Sequence, residues 1–93
     1  MSNDLRQLIE PAVLALKAAG AREVYLFGSA AHGQMRADSD IDLAVSGLPP
    51  ERFYRAGAAA EDALGWTLDL VDLDEITPFT QYLKEESELL RVG

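Results

Sequence analysis

The sequence predicts an α+β protein, with α/β layers in which helices pack on a small mixed sheet of three or four strands. Three observations point there. The runs EVYLF, DIDLAVS and TLDLVD are short, β-rich or alternating, and read as strands. Around them lie longer stretches with apolar residues at helical spacing. The order of elements is helix, strand, helical turn, strand, helix, strand, helix, which interleaves both kinds along one chain and builds layers about a sheet. At 93 residues, the chain 1–93 is expected to be a single domain.

Leu5, Leu8, Ile9, Ala12, Leu16 and Ala19 repeat at helical spacing; Ser2 or Asn3 can cap the start and Gly20 can end it. Pro11 removes a hydrogen bond inside this helix, so a kink or a break into two pieces is expected there. Residues 23–27 form the first strand, stopped by Gly28. Residues 29–33 have room for one or two helical turns. Residues 40–46 alternate strictly and form the second strand, and Gly47-Leu48-Pro49-Pro50 breaks the chain. Residues 51–64 form an alanine-rich helix with Phe53, Ala56, Ala60 and Leu64 along one side. Gly57 to Ala60 reads as small-residue packing surface, since no strand precedes it as one would a phosphate loop. Residues 67–72 are the third strand. Thr77-Pro78 is an N-cap followed by proline at the first helical position, giving a helix to about residue 87. Residues 88–92 add a short edge strand.

Net charge is −8, unevenly placed. Residues 1–57 hold six bases against seven acids; residues 58–93 hold Lys84 and Arg91 against nine acids. Such an acidic half argues against direct binding of a nucleic-acid backbone, which draws its affinity from Lys and Arg. It suits a basic protein partner or cations. No apolar run reaches the ~18 residues of a membrane span, and MSNDLRQLIE lacks the basic and apolar regions of a signal peptide. Absence of cysteine excludes disulfides and thiolate metal sites. A cytoplasmic, membrane-free protein is the expectation.

Chemistry concentrates on the strands. Asp40 and Asp42, two apart in an extended segment, share one face, while Ile41, Leu43 and Val45 point to the other. In the third strand Leu68 and Leu70 oppose Thr67, Asp69 and Val71. The 14-residue helix between strands two and three suits a parallel crossover, which puts Asp40 and Asp69 at the same end. Strand one ends at Gly28-Ser29, only twelve residues before Asp40. In a parallel pair those points would be ~17–20 Å apart, so strands one and two are predicted antiparallel. Gly28, Ser29, Asp40, Asp42 and Asp69 then meet at one sheet edge.

Two like charges ~4 Å apart repel by about 1 kcal/mol in water and about 4 at an effective dielectric of 20. Three carboxylates therefore call for a counter-cation, and oxygen-only ligands indicate Mg²⁺ or Mn²⁺ rather than zinc. Two such ions can stabilise the attacking and leaving oxygens of an in-line phosphoryl displacement. Gly28 lets an anion approach the backbone, and Ser29 adds an N–H and a hydroxyl. Asp72 falls on the opposite face from Asp69, and Asp74 and Glu75 lie beyond the strand; they read as surface.

Gly28-Ser29, ten residues, Asp40-Ile41-Asp42 and then Asp69 resembles the nucleotidyltransferase signature of polymerase-β-like enzymes. The stretches GSAAHGQMRADSDIDLAV and LDLVDLDEITPF resemble a minimal nucleotidyltransferase over nearly the whole chain. By composition alone, Gly-Ser and two Asp at fixed spacing would occur in roughly one chain of this size per thousand. The resemblance implies the nucleotidyltransferase fold and a catalytic core without a substrate-binding domain. Small nucleotidyltransferases of this kind resemble the antitoxins of HEPN/MNT toxin–antitoxin pairs. That implies transfer of AMP from ATP to a tyrosine of a HEPN RNase toxin, in a homo- or hetero-oligomer. By position, Gly28 and Ser29 match the phosphate-binding pair, Asp40 and Asp42 the metal-binding acids, and Asp69 the third acid, which also takes the proton of the attacking hydroxyl. Arg36 and Ser39 match residues often seen before the acids.

Ala30 and His32 depart from the pattern, where relatives commonly carry Arg. The loss of two cations leaves room for the alternative, an antitoxin that masks its toxin by contact alone. Aminoglycoside or tRNA-end modification is disfavoured, because no second domain exists to hold such a substrate. Trp66 reads as packing near strand three, and Arg52 and Arg55 as a solvated face or as substitutes for the missing loop arginines.

Overall fold

A computed structural model describes residues 3–32, 40–86 and 89–93. Helix α1 (Asn3–Ala18) leads into β1 (Glu23–Phe27) and a 3₁₀ turn at Ser29–His32. Then come β2 (Ile41–Ser46), a 3₁₀ turn at Pro50–Arg52, α2 (Phe53–Leu64), β3 (Leu68–Asp72), α3 (Pro78–Glu85) and the two-residue β4 (Leu90–Arg91). The strands form one mixed sheet in the order β3-β2-β1-β4. β1 and β2 are antiparallel, β2 and β3 parallel, and β1 and β4 antiparallel. This is the α+β architecture the sequence implies, including both pairing directions.

Alternation of side chains splits the sheet into two faces. Val24 and Leu26 of β1 and Ile41, Leu43 and Val45 of β2 point to one face and pack with Ile9, Ala12, Val13 and Leu16 of α1 and Ala56, Ala60 and Leu64 of α2. Leu68, Leu70 and Trp66 pack against this main core. Gly57 of α2 faces Leu70 of the sheet, where a Cβ would make an ordinary contact, 3.4 Å from Leu70 Cδ2. On the other face Phe27, Ala44, Leu73 and Leu83 form a smaller cluster, with Tyr25 and Val71 at its border. Helix α3 covers that cluster. Its start is fixed by a capping box in which the Thr77 hydroxyl accepts from the Thr80 N–H at 3.1 Å and the Thr80 hydroxyl accepts from the Thr77 N–H at 3.0 Å.

α1 runs unbroken across Pro11, so it is one helix and not two pieces. Pro11 and Gln7 are both exposed. The carbonyl that proline leaves unpaired therefore faces water, and burial of the opposite stripe holds the helix together. Among the described residues, no helix is long and apolar enough to cross a membrane.

Candidate active site

Three strand ends build the site. β1 finishes at Phe27, which lies opposite Asp42 near the start of β2, and Asp42 in turn lies opposite Asp69 in β3. Directly paired residues point to the same face, so Asp42 and Asp69 stand side by side. Their face is that of Phe27, Ala44 and Val71, away from the main core. Asp40 lies just before β2 and is exposed, as is Asp69; Asp42 is half-buried. The N–H of Ile41 donates to the Thr67 carbonyl at 2.9 Å, which locks the starts of β2 and β3 together and fixes the acids at one end of the sheet.

Gly28 closes the third side. Its φ of 75° is in the left-handed region, where other residues are strained. A Cβ at this position would overlap the Asp42 carboxylate, with Cγ only 3.0 Å away. Glycine is thus required twice, for the turn and for the approach of backbone to the acid. Burial pushes the Asp42 carboxyl above the usual carboxylate range, and the neighbouring charges of Asp69 and then Asp40 push it the same way. Two neighbouring carboxylates thus act on Asp42.

The family model for polymerase β, nucleotidyltransferase, matches residues 15–91, most of the chain and every element of the site. The chain belongs to the polymerase-β nucleotidyltransferase family. Among solved structures, this nucleotidyltransferase is similar to a protein assigned as a minimal nucleotidyltransferase, with 30% identity, a TM-score of 0.72 and 91% of each chain covered. It shares its fold with a chain of a toxin–antitoxin complex crystallised with AMP-PNP, at 24% identity and a TM-score of 0.72, covering 90% of this chain and 71% of that one. It also shares the fold of a chain in the complex of a tri-AMPylated Shewanella oneidensis HEPN toxin with an MNT antitoxin, at 24% identity and a TM-score of 0.62, covering 95% and 71%. No curated protein is a significant match.

Of the residues singled out from sequence, Gly28, Asp40, Asp42 and Asp69 are brought to one sheet end. Ser29 opens the 3₁₀ turn directly after Gly28. Arg36 and Ser39 lie outside the described residues. Ala30, expected to mark a lost phosphate-facing cation, is 1% exposed and packs in the main core, so its side chain faces inward. Arg52 is no substitute for the loop arginines: it sits beyond the far end of β2 and donates to the Ala19 carbonyl at 3.4 Å. Asp74 has a structural task, accepting from the Gly47 N–H at 2.7 Å and from the Ser46 hydroxyl at 3.2 Å. Phe27 carries no chemical signal in the sequence, although its place opposite Asp42 follows from the antiparallel register.

Among the described residues, no group of three or more His, Cys, Asp or Glu side chains closes around a point as a metal cage. The donor set nevertheless fits Mg²⁺ or Mn²⁺. Such ions take one or two carboxylates and complete their shell with water and phosphate oxygens, and the neighbouring carboxylates here are oxygen donors with mutually unfavourable charge.

A stability test follows from Asp42. A carboxyl with a raised pKa in the folded state binds its proton more tightly folded than unfolded. Stability therefore falls as pH rises from the unfolded carboxylate range through the raised value, and the full cost is present at neutral pH. Asp42→Asn removes it. Repulsion between largely solvated charges is worth about 0.2–1 kcal/mol, or a Tm gain of ~1–8 °C in a domain of this size. Thermal melts in EDTA at pH 7 should show that gain, and it should shrink as pH is lowered through the raised value. Equal gains at all pH values would contradict the assignment.

Proposed function

We propose that this chain is the antitoxin of a HEPN/MNT pair and transfers AMP from ATP to a tyrosine hydroxyl of its HEPN toxin. The observation that carries this is the register: Asp42 and Asp69 lie directly opposite each other, with Gly28 against Asp42. Support for the partner and the nucleotide comes from the similar structures, a toxin–antitoxin complex with AMP-PNP and an AMPylated HEPN toxin with its MNT antitoxin.

In this reading Asp40, Asp42 and Asp69 would hold two Mg²⁺ or Mn²⁺ ions. When bound, those ions would neutralise the triphosphate and stabilise developing negative charge. Gly28 and Ser29 present backbone N–H groups to the phosphates, with Arg36 and Ser39 as further nucleotide contacts. Asp69, on the outermost of the three strands, takes the proton from the tyrosine hydroxyl. The phenolic oxygen then forms a bond to the α-phosphorus, the bond from that phosphorus to the bridging oxygen breaks, and pyrophosphate leaves. The whole chain 1–93 acts as one catalytic core in the cytoplasm, where ATP is supplied. The toxin provides the recognition surface, and the acidic second half draws a basic one. The complex is expected to bury at least ~1,200 Å².

Intact-mass spectrometry tests the proposal. The HEPN partner, incubated with this chain, ATP and Mg²⁺, should gain one or more AMP increments on tyrosine while its RNase activity falls. In EDTA the increments should vanish and ATP binding should weaken, because bare carboxylates repel a triphosphate. Silencing without any mass change would instead favour inhibition by contact, the reading that the absence of Arg at position 32 leaves room for.

A further inference from the structure

We infer that Phe79, seated on Phe27, is the shelf on which the base of the bound nucleotide stacks. This rests on the nucleotide-transfer reading and gives that site a base-recognition element.

Phe27 lies opposite Asp42 in the β1–β2 pair, so its ring stands beside the acid on the same face. The Phe79 ring meets it edge-on, with centroids 6.4 Å apart and planes at 64°. Phe27 is only 7% exposed, yet Phe79 is 51% exposed. Leu83 is the residue of α3 buried in the cluster on this face of the sheet, and Thr80 is buried in the helix's own cap, bonded to Thr77 and Glu75. Half of an aromatic side chain is thus left open to water, one ring away from the central carboxylate.

The direction of the reaction selects what the ring receives. Across the sheet the order is Asp69 on β3, Asp42 on β2 and Gly28 at the end of β1. In-line displacement places the attacking hydroxyl and the leaving pyrophosphate on opposite sides of the phosphorus. With Asp69 taking the proton and Gly28 facing the phosphates, that line runs across the strands. The ribose must leave it sideways, and on the acid face that direction leads over Phe27 towards α3. The acceptor tyrosine approaches from the β3 side and does not meet this ring. Stacking on an aromatic face tolerates any base, so the shelf gives affinity for a nucleoside triphosphate over a bare triphosphate rather than a choice among bases.

The test compares Mg²⁺-ATP with Mg²⁺-tripolyphosphate by calorimetry on the full chain and on Phe79→Ala. The variant should bind ATP about 5- to 150-fold more weakly, the range set by loss of one base–aromatic stack, and should bind tripolyphosphate as the wild type does. Circular dichroism checks the fold; if alanine unfolds the chain, Phe79→Leu keeps the apolar contact with Phe27 and should show the same split. Equal weakening of both ligands, or no weakening of either, overturns the inference. A wild type that binds neither ligand overturns the transfer reading itself, and the inference with it.

Discussion

A HEPN partner incubated with ATP and Mg²⁺ should remain unmodified when this chain carries Asp40→Asn together with Asp42→Asn. The acids flank the start of β2, and Asp42 stands between Asp69 and Gly28. Neutral amides keep the shape and the hydrogen-bonding capacity but cannot balance divalent charge. Removing groups that stabilise a charged transition state costs about 10²–10³-fold even for a single donor, so the double variant should lose transfer by at least that factor. Because repulsion is relieved, it should be no less stable than the wild type, which separates lost chemistry from lost folding. Measuring RNase activity and intact mass of the partner on the same samples completes the test. Retained AMP transfer would show that the acids are not the site. An RNase still silenced without added mass would show that binding alone neutralises it.

Gly28→Val should abolish nucleotide binding and weaken the fold at once. Holding a non-glycine residue at φ 75° costs about 1–3 kcal/mol. The added Cβ also meets the Asp42 carboxylate, so the acid must shift or the turn must open. A loss of ~4–8 °C in Tm is expected for each kcal/mol in a domain of this size. Gly28→Ala should show the same strain with less bulk. Calorimetry with Mg²⁺-ATP and thermal melts on both variants give the answer. Wild-type affinity in Gly28→Val would make this turn a plain chain reversal.

Much of this arrangement was legible because period and connection length constrain it tightly. Residues 40–46 alternate so strictly that the acids have only one face to occupy. Eleven residues between Gly28 and Asp40 are too few for a parallel return, and the α2 segment is long enough for one; both pairings follow. What escaped depends on tertiary placement. Pro11 reads as a helix breaker, but its exposure and the buried stripe of Ile9, Ala12, Val13 and Leu16 override the local penalty. Asp74 looks like surface charge until the Gly47 turn folds against it. Phe79 looks like one apolar residue of a short helix, and only the docking of α3 over β1 brings it to Phe27. Of the edge strand expected over residues 88–92, the described residues 89–92 form a strand at Leu90–Arg91.

The order β3-β2-β1-β4 leaves two rims, and an unpaired rim is a template on which a second chain can add and begin a fibre. One rim is only the two residues of β4, too short to nucleate such growth. The other, β3, carries Asp69 and Asp72 along its length, and the Glu61 carboxylate accepts from the Leu68 N–H at 3.0 Å, filling one of its backbone donors. Like copies approaching this rim meet their own negative charge. The acid proposed for proton transfer thereby also adds to the charge on this open rim, and a neutral residue at Asp69 would remove both contributions together.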